Sequence, residues 1–255
     1  MIRLAPVIKE FVKERGGFSL TRQRLKLLHT ADLHLGADDG VQLDVPSFSR
    51  VVDAAVREDI DVVVIAGDLF DNARLTPSYV RSVMEPLARL SVPVVVLPGN
   101  HDCLEPDSVH KKLDIRELGQ AVHPLYNTEG ENVALDSLGL AVWGKAVVEH
   151  DPRNQPLEGY SGRLDGYWQV VVAHGFFAPD RERCDRSSLI RESTLRDISC
   201  DYVALGHWHR FADVTSGGPP AFYSDSPSEP RLHAPAVNIV LMDPEAGVSV
   251  RRMVL

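Results

Sequence analysis

Continuous apolar runs, each followed closely by polar residues, recur along this chain. Most of these runs are rich in β-branched residues, and runs of this kind indicate strands that are buried on both faces of a sheet. The five clearest lie at residues 25–28, 62–65, 94–97, 170–172 and 202–205. The polar residues after them lie where the strands end, and we therefore expect these residues to converge on one edge of the sheets.

Helices are predicted after the first two of these strands. Residues 32–45 are predicted to form a loop, followed by a helix over 46–59 that begins at Pro46. The second strand is likewise followed by a loop and by a helix over about 77–90. This alternation predicts a parallel or mixed sheet with right-handed crossovers and helices on its faces, which is an α/β fold.

Beyond residue 120 the pattern changes to short strands with less helix between them. We expect a second sheet here, richer in antiparallel pairs, and loops over 150–166 and 216–235. The predicted strands lie at 133–135, 140–143, 170–172, 202–205, 211–214, 237–241 and 248–254.

The length of 255 residues is suited to one hydrophobic core. We assign 25–255 to a single catalytic domain and 1–24 to an N-terminal extension. In the extension, apolar residues including Leu4, Ile8 and Phe11 share one face of a predicted helix that ends at Gly16 and Gly17. This helix packs on its own domain or docks to a partner, and the sequence leaves both alternatives open.

Composition narrows the functional classes. The chain has neither a long apolar stretch nor a signal-peptide pattern at its start, so we expect a cytoplasmic protein without a membrane segment. Its three cysteines are far apart, which favours reduced thiols. The net charge of −9 weakens the case for a DNA substrate without excluding it, because bound cations would dominate the local field.

Seven polar side chains after the strands are candidate metal ligands. They combine imidazole nitrogens with carboxylate and amide oxygens, a set that suits Mn²⁺, Fe²⁺, Zn²⁺ or Ni²⁺. Because a carboxylate has two oxygens and can bridge, we expect two divalent ions. Geometry alone does not choose among these metals, and we take Mn²⁺ as the first choice. The predicted ligands are Asp32, His34, Asp68, Asn100, His174, His207 and His209.

Two divalent ions held by such ligands indicate phosphoester hydrolysis. His101 adjoins Asn100 and is free to protonate the leaving oxygen or to stabilise charge on phosphorus, with Asp71 as its orienting partner. Asp102 is an alternative supporting carboxylate. We assign the other histidines to structural roles: His29, His110, His123, His150 and His233.

At these five segments the chain resembles the calcineurin-like metallophosphoesterase superfamily. The matching motifs are Asp32-Leu-His34, Gly67-Asp68-Leu-Phe-Asp71, Gly99-Asn100-His101-Asp102, His174 and Gly206-His207-Trp208-His209. The resemblance implies a sandwich of two mixed β-sheets flanked by α-helices, with His101 as the catalytic histidine paired with Asp71. It implies one metal at Asp32, His34, Asp68 and His209, and a second metal at Asp68, Asn100, His174 and His207.

Within the superfamily, residues 29–36 and 222–228 look most like the DNA-repair exonuclease branch of SbcD and Mre11-type nucleases. In the second segment, Asp225 stands where that branch has glycine. The resemblance implies a coiled-coil ATPase as a possible partner. Because the chain ends soon after the catalytic domain, we expect the branch's DNA-capping domain and ATPase-binding segment to be missing, and we do not transfer its role at double-strand breaks.

Three functions are compatible with the sequence. The first is a metal-dependent phosphodiesterase that acts on DNA, an exonuclease or nuclease of DNA repair. The second is a phosphatase or phosphodiesterase for a small nucleotide or another small phosphoester, which the acidic charge favours. The third is a non-catalytic module that recruits a repair partner through its N-terminal helix.

Overall fold

The computed structural model describes residues 22–37, 41–72, 74–119, 121–148, 151, 153–228 and 234–255. The helix predicted within the N-terminal extension lies outside these residues, as do His150 and His233.

The first sheet has six strands in the order β14-β13-β1-β2-β3-β4. Strands β1 to β4 are parallel, and β13 and β14 are added antiparallel beside β1. The strands are β1 (Leu25–Thr30), β2 (Val62–Ala66), β3 (Val94–Leu97), β4 (Val122–Pro124), β13 (Ala236–Asp243) and β14 (Gly247–Val254).

The second sheet has the order β11-β12-β10-β7-β6-β5. Its four central strands are parallel, and only the two edge strands pair antiparallel. The strands are β5 (Glu131–Leu135), β6 (Leu140–Gly144), β7 (Trp168–His174), β10 (Tyr202–Gly206), β11 (Ala212–Asp213) and β12 (Ala221–Tyr223). A short parallel pair, β8 (Phe176–Ala178) and β9 (Leu189–Arg191), follows β7.

The helices differ from the sequence prediction at proline residues. Helix α1 (Val41–Arg57) begins before Pro46 and contains it, although Pro46 lacks the N–H for one helical bond. The single helix predicted over 77–90 is split into α2 (Pro77–Val83) and a 3₁₀ helix (Glu85–Arg89), with Pro86 just after the break. The remaining short helices are α3 (Val109–Lys112), α4 (Glu192–Asp197) and 3₁₀ turns at Ile115–Leu118 and Asp136–Leu138.

The apolar core is divided into three layers by the two sheets. One cluster lies between the first sheet and α1 and α2, and includes Phe48, Val80 and Ile65. A second lies between the two sheets, and a third covers the outer face of the second sheet. Both sheets are therefore covered on their parallel central strands, as the continuous apolar runs require.

The α/β fold class with two mixed sheets flanked by helices is confirmed. The expectation that the second sheet is richer in antiparallel pairs is wrong, because its centre is parallel and the last two strands return to the first sheet. All three cysteines are free thiols. Within the described residues, no helix combines the length and apolar character needed to cross a bilayer.

Candidate metal centre

The predicted ligands converge where the strands of both sheets end. Asp32, Asp68 and Asn100 follow β1, β2 and β3, whereas His174 ends β7 and His207 follows β10. A hydrogen bond links the two sheets here, because Nδ1 in the His174 side chain lies 2.9 Å from the carbonyl oxygen of Ala66. The edge expected from the sequence is therefore the place where the polar side chains meet.

One group of donor atoms comes from Asp32, His34 and His209, whose ligand atoms all lie within 4.8 Å of one another. The Nε2 atoms of the two histidines are 3.2 Å apart, and Nε2 of His209 is 3.7 Å from Oδ1 of Asp32. Ligands about 2.1 Å from a common ion are separated by about 3.0–3.5 Å, so this spacing suits a shared cation.

A second group surrounds Oδ1 of Asn100. This oxygen is 3.1 Å from Nε2 of His174 and 2.9 Å from Nδ1 of His207. Oδ2 of Asp68 is 3.2 Å from Nε2 of His174 and 3.9 Å from Nε2 of His34. Asp68 therefore lies between the two groups, where a bridging carboxylate would be needed.

The donor set fits two divalent cations on chemical grounds as well. Asp32 and Asp68 are almost fully buried, and burying two carboxylates together is costly unless positive charge compensates them. The hydrogen bond from the His174 ring to the Ala66 carbonyl requires Nδ1 to carry a proton. Nε2 then faces the other ligands, as it does in a metal-binding imidazole.

The backbone at the site is held in an unfavourable region. Among the described residues, six that are not glycine have positive φ, and four of these are predicted ligands. They are Asp32 (55°), His34 (47°), Asp68 (51°) and His207 (97°). Strain of this kind persists only where the surroundings enforce it, and it clusters at functional sites.

Burial and charge shift the pKa values of the central residues. Burial raises the pKa of Asp32, and the negative charge of Asp68 adds to this effect. Burial opposes the ionisation of both Asp68 and His174, but their attraction and hydrogen bond outweigh it. As a result the pKa of Asp68 falls below its usual range, and that of His174 rises to about 9. A cation held by Nε2 of His174 would have to replace this proton, so acid should weaken metal binding.

His101 lies at the open side of the two groups, with 45% of its side chain exposed. Its Nδ1 is 2.8 Å from the main-chain oxygen of Asp71, whereas the Asp71 carboxylate is 3.7 Å away. That carboxylate is closer to Nδ1 of His34, at 3.3 Å. Asp71 thus contacts His101, as the sequence predicts, but the hydrogen bond is to its main chain.

Asp102 supports the site in a way that the sequence suggested only as an alternative. Its carboxylate accepts hydrogen bonds from the main-chain N–H groups of Gly99 and Phe70, and it lies 3.3 Å from Nε2 of His110. Nδ1 of His110 contacts the hydroxyl of Tyr126. Asp102 therefore ties the loop after β3 to the loop after β2, and each of these loops carries predicted ligands.

The segment over 222–228 lies beneath the site. The hydroxyl of Ser226 donates to the carbonyl of Asp32, and that of Ser228 donates to the carbonyl of Leu33. Asp225 is buried, accepts from the N–H of Phe211 and pairs with Arg252. The resemblance in the sequence pointed to this segment, but its hydrogen bonds join the chain after β12 to the chain after β1, two segments distant in sequence, and could not be derived from spacing.

The comparison with protein families agrees with this geometry. The model of the calcineurin-like phosphoesterase family matches residues 25–211, which is most of the chain. The chain belongs to the calcineurin-like phosphoesterase family. Members of this family are hydrolases that act on phosphoester bonds, and the resemblance found in the sequence is confirmed at this level.

Curated relatives share this membership at modest identity. The uncharacterized metallophosphoesterase YhaO of Bacillus subtilis is 27% identical over 78% of this chain and 52% of its own length. The DNA double-strand break repair protein Mre11 of Haloferax volcanii is 29% identical over 90% of this chain and 52% of its own. A probable cyclic nucleotide phosphodiesterase of Fibrobacter succinogenes is 31% identical over 74% of this chain and 75% of its own. The chain thus spans about half the length of the first two.

Solved structures support the fold. A protein of Thermus thermophilus aligns with a TM-score of 0.56 at 11% identity, covering 90% of this chain and 98% of that one. The GAP50 anchor in the inner membrane complex of Plasmodium aligns with a TM-score of 0.54 at 12% identity, covering 91% and 85%. At such identities the likeness concerns the fold alone.

Proposed function

We propose that this protein is a dinuclear-metal-dependent phosphodiesterase that hydrolyses phosphodiester bonds of DNA. The observation that carries the proposal is the sharing of Asp68 by two groups of donor atoms, with His101 exposed beside them. We assign one metal to Asp32, His34, Asp68 and His209 and the other to Asp68, Asn100, His174 and His207, with Mn²⁺ as the expected ion and Fe, Zn or Ni as alternatives.

The side chains of the site bind the metals and supply a proton to the leaving group. When bound, two divalent cations supply the charge that attracts a phosphate and makes an attacking water more acidic. His101 donates its Nδ1 proton to the Asp71 carbonyl, which fixes the ring and leaves Nε2 to face the substrate. In its protonated form this Nε2 can give a proton to the leaving oxygen.

The similarity to Mre11 proteins supports DNA as the substrate. A small cyclic nucleotide is the second candidate, and the Fibrobacter relative favours it because the matched region covers 75% of that protein. The acidic net charge of −9 also favours a small substrate over a polyanion. Both candidates are nucleotide phosphodiesters, so one site chemistry serves them.

The test is Mn²⁺-dependent cleavage of end-labelled single- and double-stranded oligonucleotides, run beside 3′,5′-cyclic AMP and bis(p-nitrophenyl) phosphate. His101→Ala should lower kcat by about 10²–10⁴-fold, the usual contribution of a general acid. Asp68→Asn should remove activity together with Mn²⁺ binding, because it takes a charge from both donor groups.

The matched control is His123→Gln on β4, a partly buried histidine outside the centre, which should retain wild-type activity. Cleavage of the cyclic nucleotide but not of DNA would transfer the proposal to the second candidate. Wild-type activity in His101→Ala and Asp68→Asn would refute the assignment of the site.

A further inference from the structure

An aromatic pair lies at the rim of the candidate metal centre and is not used by the chemistry proposed above. Trp208, between His207 and His209, is 44% exposed, and it is the single aromatic residue among the exposed large hydrophobics of the described part of the chain. Its ring packs edge to face on Phe176, with centroids 5.9 Å apart. Tryptophan is enriched at contact surfaces because its large ring buries apolar area, so this exposed ring beside the candidate centre is a candidate contact for a ligand.

The position of this pair follows from the register of the second sheet. Strands β7 and β10 are parallel, and His174 is opposite Gly206. The N–H of Gly175 then donates to the carbonyl of Gly206, so the two chains continue side by side beyond the strands. The rings of His174 and His207 are 5.2 Å apart, and the rings of Phe176 and Trp208 follow directly. The aromatic pair is therefore the immediate neighbour of the second donor group.

The main chain around Phe176 is held by hydrogen bonds. The hydroxyl of Tyr223, which is buried, donates to the carbonyl of Gly175 and accepts from the N–H of Phe177. The N–H of Phe176 itself donates to the carbonyl of Ser188. Three hydrogen bonds thus hold the main chain around Phe176, and a backbone that is already ordered costs less to bind against, which favours binding.

A positive charge completes the surface. The guanidinium of Arg186 lies 4.6 Å from the centroid of the Phe176 ring, and its residue is exposed. Arg181 and Arg183 precede it in the same segment. Arginine can stack on an aromatic ring while its N–H groups bind phosphate, so this surface offers both a π face and an anion site.

We infer that Trp208, Phe176 and Arg186 form a subsite for an unpaired nucleobase and the phosphate next to it. The inference rests on the proposed function, because it places the base of the substrate beside the scissile phosphate. Stacking requires an exposed base face, so the subsite selects a nucleotide or a single-stranded end over a paired duplex or a sugar phosphate. It discriminates little among the bases, since every base has a π face.

The experiment compares two p-nitrophenyl phosphodiesters that differ by the base alone, thymidine 5′-(p-nitrophenyl phosphate) and the same ester of 1,2-dideoxyribose. We expect the Mn²⁺-loaded wild type to prefer the thymidine ester in kcat/KM, and Trp208→Ala to lower that preference by about tenfold, as for loss of one stacked base. Trp208→Phe should restore most of it. Leu164→Ala is the matched control, because Leu164 is an exposed apolar residue before the opposite end of β7 and its loss should leave the preference unchanged.

A second measurement is independent of turnover. Trp143 and Trp168 are buried, so the fluorescence that a bound base quenches comes mainly from Trp208. Thymidine monophosphate should quench the tryptophan fluorescence of the metal-free and Mg²⁺-treated proteins, whereas deoxyribose 5-phosphate should not. Trp208→Phe should abolish the base-dependent quenching.

The two readouts distinguish failure of the subsite from failure of the function. Base-dependent quenching without hydrolysis of either ester supports the subsite and contradicts the phosphodiesterase. Equal hydrolysis of both esters, or an unchanged preference and unchanged quenching in Trp208→Ala, overturns the subsite and leaves the rim aromatics to another role, such as docking of a protein.

Discussion

Gly67 illustrates, at the scale of single residues, how closely the chain is fitted around the candidate centre. Its φ is +94°, and a Cβ added there would lie 2.1 Å from Nδ1 of His174. The same nitrogen donates to the carbonyl of Ala66. Glycine is therefore required both by the backbone conformation and by the approach of the histidine ring.

We expect Gly67→Ala to weaken Mn²⁺ binding by about 10–100-fold, the effect usual for groups that orient a metal-binding histidine. Isothermal titration calorimetry measures the affinity. Gly217→Ala is the matched control, because Gly217 has φ +79° but nothing within 4 Å of an added Cβ. The control should carry backbone strain of about 1–2 kcal/mol and keep its affinity. Equal affinities in the two variants would contradict the explanation.

His29 is buried between the sheets and serves a structural role. Its Nε2 lies 3.2 Å from the carbonyl of Leu205, and its Nδ1 lies 2.9 Å from the hydroxyl of Tyr202. A carbonyl can only accept, so Nε2 carries the proton and Nδ1 accepts from the tyrosine. Burial lowers the pKa of His29 from 6.5 to about 3, and the ring therefore stays neutral in the folded protein.

This pKa shift makes stability depend on pH in a definite direction. As the pH falls below about 6.5, the unfolded chain takes up a proton that the folded protein excludes, so the free energy of unfolding decreases. Between about pH 7.5 and 5.5, the free energy of unfolding of wild type relative to His29→Gln should fall by about 1.4 kcal/mol. Urea denaturation at the two pH values measures this, and a constant difference would show that His29 has the same pKa in the folded and the unfolded chain, which would contradict the pKa shift by burial.

At the scale of elements, the geometry of the site depends on contacts between loops that follow different strands. The loops after β2 and β3 meet at Asp102, which accepts N–H bonds from Phe70 and Gly99. His110 in α3 contacts the same carboxylate from its other side, and the Tyr126 hydroxyl contacts His110. The relative positions of Asp68 and Asn100 are thus set by a buried polar chain that ends at Tyr126.

Asp102→Asn should destabilise the protein by about 1–3 kcal/mol, because the amide nitrogen cannot accept and one buried N–H loses its partner. It should also reduce kcat, since the loops carrying Asp68 and His101 would shift. Thermal melting and steady-state kinetics measure the two effects. Tyr126→Phe removes only the far end of the chain and should cost about 1 kcal/mol with little change in kcat. If Tyr126→Phe lowered kcat as much as Asp102→Asn does, the tyrosine would position the two loops as strongly as the carboxylate, which would contradict this prediction.

At the scale of the whole molecule, the candidate centre joins the two sheets. The first sheet contributes the loops with Asp32, Asp68 and Asn100, and the second contributes His174 and the loop of His207. A cation held by these residues would contact both halves of the sandwich. It would also compensate two buried carboxylates that only the folded chain brings together.

Removal of metal should therefore lower the stability of the entire domain. A ligand that binds only the folded state at 100 times its Kd adds about 2.7 kcal/mol. We expect treatment with a chelator to lower Tm by several degrees and added Mn²⁺ to restore it. Asp68→Asn should abolish the Mn²⁺-dependent part of Tm, and an unchanged Tm on chelation of the wild type would refute the bridging role.

The local pattern of the sequence was sufficient for the strands that carry the site. The apolar runs at β1, β2, β3, β7 and β10 marked buried strands, because hydrophobic periodicity reports burial directly. The elements placed less well were those decided by proline, as at Pro46 and Pro86, and by very short segments such as β8 and β12. The candidate ligand residues could be named from the sequence because their chemistry and their position after strands are both local properties.

The family, the α/β class and the identity of the residues that converge at the strand ends can all be read from the order of residues alone. The tertiary structure decided which strands are neighbours, including the return of β13 and β14 to β1. It also decided that the main chain of Asp71 holds His101, that Asp102 ties two loops, and that Trp208 meets Phe176. This difference arises because the local pattern of apolar residues predicts which segments are buried, whereas pairing across a sheet and contact between loops depend on segments distant in sequence.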